Sequence, residues 1–226
     1  MVRADEWQAA NDEFPAGNTN RAGELHESGM NNLKTGAYVK FGSYPQNNIA
    51  VKESIEWLVL DVNGNEALLV SRYGLDCKRY HHEFTEITWE NCDLRKWLNA
   101  DFLEMAFPEE EQHRIRLSDV VNDDNRKYGT SGGNNTRDRI FCLSLAEAER
   151  YFKNDGDRQC RPTALAKAHG ACCTDGGYCW WRLRSPGDHQ HNASYVYALG
   201  ALYPHGHGPN GDLNAVRPAL RLICSL

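Results

Sequence analysis

The side chains best suited to chemistry lie in the last third of the chain. Cys172 and Cys173 are adjacent and Cys179 follows closely; thiolates beside glycine-rich turns can bind copper or zinc, or exchange disulfides. His189-x-His191 and His205-x-His207 have a spacing that can share a Zn²⁺ if two loops converge, but on a strand the same spacing simply puts both rings on one exposed face. Asp188, Asn192, Asp212 and Asn214 carry the oxygens that Ca²⁺ takes, without a recognisable carbohydrate-binding triplet. The polar run 129–135 lacks the lysine and helix start of a phosphate cradle, and no Ser-His-Asp signature is present. Contact or structural roles account for these histidines more simply than ligation does. The expectation is no catalytic residue, no metal and no cofactor, with a metal-assisted thiol oxidoreductase as the alternative.

The elements that must position these residues are those of a globular protein. The chain has 226 residues, 41% of them hydrophobic, with six tryptophans and a formal net charge of -6. That length suits one substantial domain with an extension. The negative balance argues against nucleic acid, which needs an excess of Lys and Arg on the docking face. No apolar run approaches the roughly 20 residues of a membrane span, and the first residues lack the apolar stretch of a signal peptide, so a soluble protein is expected. Export or surface display would need a route that the sequence does not show. The eight cysteines are scattered through a chain long enough to fold without staples, and they read mainly as reduced, buried small hydrophobes.

Residues 1–34 have no sustained apolar period and read as an arm, with Trp7 and Phe14 able to dock it. Order begins near Tyr38, and Asn63-Gly64 between two apolar runs predicts a type I′ hairpin. Leu94, Trp97, Leu98 and Phe102 follow helical spacing, with Asn91 or Asp93 as N-cap and Pro108 as the stop; a short second helix is expected within 109–115. Residues 119–137 predict a long exposed loop. Ser144-Leu145-Ala146-Glu147 matches a capping box, and residues 163–169 suit a further helical turn. After Gly170 short strands joined by loops are expected at 180–184, 193–197 and 215–222. The fold class is therefore α+β.

Four ordered strings carry a resemblance: Ile55-Glu56-Trp57-Leu58-Val59-Leu60-Asp61; Thr88-Trp89-Glu90-Asn91 with Leu94-Arg95-Lys96-Trp97-Leu98-Asn99; Trp180-Trp181-Arg182-Leu183-Arg184-Ser185-Pro186-Gly187; and Val216-Arg217-Pro218-Ala219-Leu220. Over residues 36–226 the chain resembles a bacterial and phage domain family of unassigned biochemistry, related to the formylglycine-generating-enzyme type of C-type lectin fold. Several members of that family are variable proteins of diversity-generating retroelements. Arg182 is an extra residue relative to the family's Trp-Trp-Leu-Arg pattern. The resemblance implies a C-type-lectin-like domain over 35–226, with short strands, two or more helices and long loops. It further implies a C-terminal segment in which AAY codons are randomised at their adenines. Such codons yield Tyr, His, Asp, Ser, Ala, Leu, Pro or Gly among others, but never Lys, Glu, Gln, Met or Trp. Residues 188–214 contain no Lys, Glu, Met or Trp, and their one Gln, Gln190, would be a fixed position.

The candidate ligand-binding residues are Asp188, His189, His191, Ser194, Tyr195, Tyr197, Leu199, Ala201, Tyr203, His205, His207, Asn210 and Asp212. Their composition also fits a recognition surface on physical grounds, since Tyr offers rigid amphipathic area while Ser, Asn and Gly adapt their hydrogen bonds. Alternation along residues 193–197 predicts Tyr195 and Tyr197 on the exposed face and Val196 on the buried one. Trp180, Trp181, Leu220, Leu222 and Leu226 read as scaffold, and Arg184 and Arg217 as structural ion pairs or carbonyl contacts, with direct ligand contact as the alternative. The expected partner is a macromolecular or cell-surface ligand, a protein, with oligomerisation open.

Overall fold

The first three strands pair in chain order because two tight connections leave no other choice. β1 (Tyr38–Asn48) runs antiparallel to β2 (Val51–Asn63), and β2 to β3 (Glu66–Ser71). The hairpin lies where the sequence predicts it, but its two turn residues are Gly64 and Asn65, because Asn63 still pairs with Glu66. Gly64 takes the positive φ of 60° that the turn requires. The computed structural model describes residues 33–211 and 213–224. Trp7, Phe14, Asp212, Leu226 and nearly all of the proposed arm lie outside the described residues. Leu33, at the end of that arm, packs against the core.

Two five-stranded sheets carry the domain. The first has the order β1-β2-β3-β12-β7, with β7 at Ile140–Phe141 and β12 at Ala219–Ile223. The second has the order β10-β9-β8-β11-β4, formed by β4 (Asp76–Cys77), β8 (Trp181–Pro186), β9 (Ala193–Val196), β10 (Leu202–His207) and β11 (Ala215–Val216). A small ribbon of β5 (Ser118–Val120) and β6 (Thr136–Asp138) closes the base of the long central loop. Residues from both large sheets and from the helix after Cys92 share one core, with Trp57, Trp89 and Trp181 fully buried. The arrangement is α+β. Among the described residues no helix is long and apolar enough to cross a membrane.

The expected core helix is present as α1 (Asp93–Trp97), a π-helical stretch (Leu98–Phe102) and α2 (Leu103–Ala106). Its N-cap is Cys92, not Asn91 or Asp93: the Cys92 sulfur accepts the Arg95 N–H at 3.4 Å. Pro108 starts the next turn, α3 (Glu109–Gln112). The Ser144–Glu147 capping box forms in both directions and opens α4 (Leu145–Tyr151). Asn154 caps α5 (Asp155–Arg158), and Thr163 caps α6 (Ala164–Ala168). β10 was not expected, because Pro204 and Gly206 interrupt the run Leu-Tyr-Pro-His-Gly-His. It survives at the sheet edge, where Pro204 needs no inward donor and Gly206, with φ of 69°, accommodates a bulge against β9.

The loop expected to be exposed over 119–137 is partly buried. Asn125 is 2% exposed, and its amide donates to the carbonyls of Pro186 (2.9 Å), Gly187 (3.2 Å) and Pro204 (2.7 Å). Polar composition here marks internal bracing, not solvation.

The quoted Thr88–Asn91 and Leu94–Asn99 strings converge on Asp138. Its fully buried carboxylate accepts from Trp89 Nε1 (2.9 Å), Arg95 Nε (2.6 Å) and Thr136 Oγ1 (2.7 Å). Removing that carboxylate leaves an indole N–H and a guanidinium without their partner. Asp138→Ala is expected to lower unfolding free energy by about 3 kcal/mol in urea denaturation, whereas exposed Asp119→Ala should change it by less than about 0.5 kcal/mol.

Candidate ligand-binding surface

Trp180 and alternate residues of β9 and β10 bring six rings together on one face of the second sheet. Tyr195 is the hub: its ring centroid lies 5.6 Å from Trp180, 5.0 Å from Tyr203, 4.8 Å from His207 and 6.2 Å from His205. Tyr197 completes the group at 5.4 Å from both Trp180 and Tyr203. The spacings and tilts are those of stacked and edge-directed aromatic pairs. Tyr195 and Tyr197 share a face, as alternation requires, but Tyr195 is only 6% exposed, so its ring supports the others instead of standing free as an anchor. Trp180, read from sequence as scaffold, is half-buried and belongs to the ring surface. Tyrosines exposed by alternation need a floor, and the tryptophan beside them supplies it.

Ser194 is a correction. It is fully buried, and its hydroxyl donates to the Pro186 carbonyl at 2.7 Å, because the opposite face of β9 is covered as well. The other candidates divide into places. Leu199 is exposed at the turn between β9 and β10, and Ala201 is half-buried next to it. His189 and His191 lie on the turn between β8 and β9, not on a strand; their rings stack at 5.3 Å, and His191 rests against Phe84 at 4.7 Å. Phe84, from the loop after β4, is 62% exposed and was missed; a lone aromatic in a polar loop gave no periodic signal. Asp188 accepts from Asn192 Nδ2 at 2.7 Å and lies 3.1 Å from His189 Nδ1, and both hold its carboxyl below the usual range. Asn210 is exposed in the turn after β10. The groups considered for Ca²⁺ do not gather around one point: the Asp188 carboxylate accepts from Asn192 Nδ2, and Asn214 is fully buried, its Nδ2 2.6 Å from His207 Nε2 and its Oδ1 without a hydrogen-bond partner among the described residues.

Beneath the rings lies Arg182, 0% exposed. Its Nη1 donates to the Ala193 carbonyl at 3.0 Å, its guanidinium sits 5.9 Å over the Tyr80 ring, and its Nε and Nη2 have no hydrogen-bond partner among the described residues. Burial pulls its pKa down to about 10. Burial, and then the charge of Arg182, pull His207 from 6.5 to about 4, so this ring is neutral at physiological pH. Arg184 pairs with Glu147 and donates to the carbonyls of Cys142 and Val121, both at 2.9 Å. Arg217 donates to the Ser71 carbonyl at 2.9 Å and lies 4.9 Å over the Trp181 ring. Both arginines serve the interior.

The cysteines arrange themselves differently from the sequence grouping. Cys173 pairs with Cys179 only as a backbone bridge. The thiols that meet are those of Cys179 and Cys160, both buried. Burial raises the Cys160 thiol, but the Cys179 thiol, the charge of Arg217 and the Gly74 amide together outweigh it and lower the pKa, while Cys179 is raised.

A family comparison matches residues 64–223 to a domain of unknown function, DUF6273. The chain belongs to that family. No curated protein and no solved structure matches it.

Two measurements check this geometry. A depressed histidine pKa favours the folded state above pH 6.5; as pH falls from 6.5 toward 4 the unfolded chain takes up a proton that folded His207 refuses, and stability drops. Thermal melts of His207→Gln should therefore lose less between pH 7 and pH 4.5 than wild type. In native thiol titration only Cys172 and Cys173, the two partly exposed cysteines, should react quickly, with the six buried ones appearing on unfolding.

Proposed function

We propose that this chain is a ligand-recognition module of C-type-lectin-like fold, whose surface over residues 188–214 binds a macromolecular, cell-surface protein and is diversified by a retroelement. The observation that carries the reading is the six-ring surface centred on Tyr195. Tyr197, Tyr203, His205 and Trp180 offer aromatic area already locked by ring contacts, so little side-chain entropy is lost on binding. His205 and His189 supply exposed polar neighbours. Such central aromatic anchors with a polar rim are how protein-binding surfaces concentrate affinity.

The division between changeable and constant positions supports diversification. Gln190, the one residue of the segment outside the AAY alphabet, has its amide tied to the central loop, Nε2 donating to the Ser131 carbonyl at 3.0 Å, and its backbone carbonyl accepts the Ile87 N–H at 3.2 Å. His189, Leu199 and His205, which the alphabet allows to vary, are exposed. A position can be randomised without loss of the fold only where its side chain is not part of the packing.

Two tests follow. His189→Asp, Leu199→Asp and His205→Asp should each shift unfolding free energy by less than about 0.5 kcal/mol, whereas Ser194→Asp, placing a charge at a sealed position, should cost about 3 kcal/mol or more. In the source genome, a near-copy of the coding segment beside a reverse-transcriptase gene should differ almost only at adenines. Differences spread evenly over all bases would sink the diversification.

A further inference from the structure

The loop between β4 and α1 is held between the recognition surface and the core. The Tyr80 hydroxyl donates to the Arg184 carbonyl at 3.0 Å, the His81 N–H to the Pro209 carbonyl at 3.0 Å, and the Ile87 N–H to Gln190. Between these anchors His81 and His82 converge on Asp93, the first residue of α1. Asp93 Oδ2 lies 2.8 Å from His81 Nδ1 and 2.5 Å from His82 Nδ1, and it also accepts the His82 backbone N–H at 3.0 Å.

This cluster is under-satisfied. His81 is 8% exposed, and its Nδ1 has no hydrogen-bond partner among the described residues, because the Asp93 oxygen lies off the bonding direction. A buried polar nitrogen left this way costs about 1–3 kcal/mol. One atom from each of the three residues falls within 4.8 Å of the other two, and among the described residues this is the one group of His, Cys, Asp and Glu that meets that condition. His82 and Asp93 also line an open cleft of about 520 Å³ with Lys78, Trp97 and His169, so solvent and an ion have a way in.

We propose that His81, His82 and Asp93 form a site for one divalent transition-metal ion of the zinc class, with water from the cleft completing its coordination. Two imidazole nitrogens and one carboxylate oxygen suit Zn²⁺, Co²⁺ or Ni²⁺, not the all-oxygen cages of Ca²⁺ or the thiolate sites of Cu⁺. Tetrahedral bonds of about 2.0–2.1 Å put neighbouring ligand atoms about 3.3 Å apart. The three side chains therefore need only open slightly, and His82, at the exposed rim, is free to do so. Lys96 Nζ, 3.6 Å from Asp93 Oδ1, orients the carboxylate from its other oxygen. The ion cross-links the loop to α1 and so fixes the backbone that carries Phe84 beside His191.

The test uses the full chain, stripped with chelator and then titrated with Zn²⁺ in a calorimeter and with Co²⁺ by absorption. One equivalent should bind, Co²⁺ should give visible d–d bands without a thiolate charge-transfer band, and Zn²⁺ should raise the melting temperature. His82→Ala, at an exposed position, should fold as wild type and lose roughly tenfold or more in affinity; Asp93→Asn should do likewise, with circular dichroism as the folding check. A His189→Ala/His191→Ala double variant should bind as wild type. The proposal is overturned by absence of stoichiometric binding, by a thiolate band, by wild-type affinity in His82→Ala, or by loss confined to the double variant.

Discussion

Every residue of β8 is buried, yet the strand carries two arginines, and the rest of the molecule is arranged around that constraint. A guanidinium has five N–H donors and cannot shed its charge, so it draws partners from wherever the chain can supply them. Arg184 gathers the capping box of α4 through Glu147, the end of β7 through the Cys142 carbonyl and the start of the central loop through Val121. One side chain thus ties a helix, a strand and a loop that the sequence places far apart. Arg182, in the same strand, is only partly satisfied, and its guanidinium sits 5.9 Å over the Tyr80 ring. A cation over an aromatic face is attracted to its electron density, which offsets part of the cost of burying this charge inside the strand.

The surface is held from the side by amides more than by hydrophobic packing. Asn125 clasps three carbonyls that belong to the end of β8 and to β10, while Thr130 Oγ1 donates to the Asp188 carbonyl at 3.1 Å. Backbone carbonyls are present whatever side chains occupy the segment. A scaffold that grips carbonyls therefore holds the segment without depending on its side-chain sequence.

Much of the local structure was legible because it follows short-range rules. The hairpin at Gly64, the Ser144 capping box, the Thr163 turn and the helix stop at Pro108 each rest on backbone groups satisfied within a few residues. What escaped reading depends on distant partners. The burial of Asn125 and Ser194 comes from strands that close over them, and the burial of Tyr195 depends on Trp180, just before β8, and on Tyr203 of β10. β10 was hidden for a different reason: its pairing is paid for by β9 and by the Gly206 bulge, not by its own propensity. Of the ring surface, the alternation of Tyr195 and Tyr197 was readable; the contribution of Trp180 and the nearness of Phe84 were not. The His81–His82–Asp93 cluster went unread because its third member comes from a helix whose first turn packs back on the loop.

β10 has one more consequence. A strand at the rim of a sheet offers open N–H and C=O groups to any extended chain, and β10 carries no Lys, Arg, Asp or Glu to repel unwanted pairing. Pro204 withholds one donor and the bulge at Gly206 bends the outer edge away from a straight ladder. The protection against stacking of one copy on another is thereby written into the backbone and not into charged side chains.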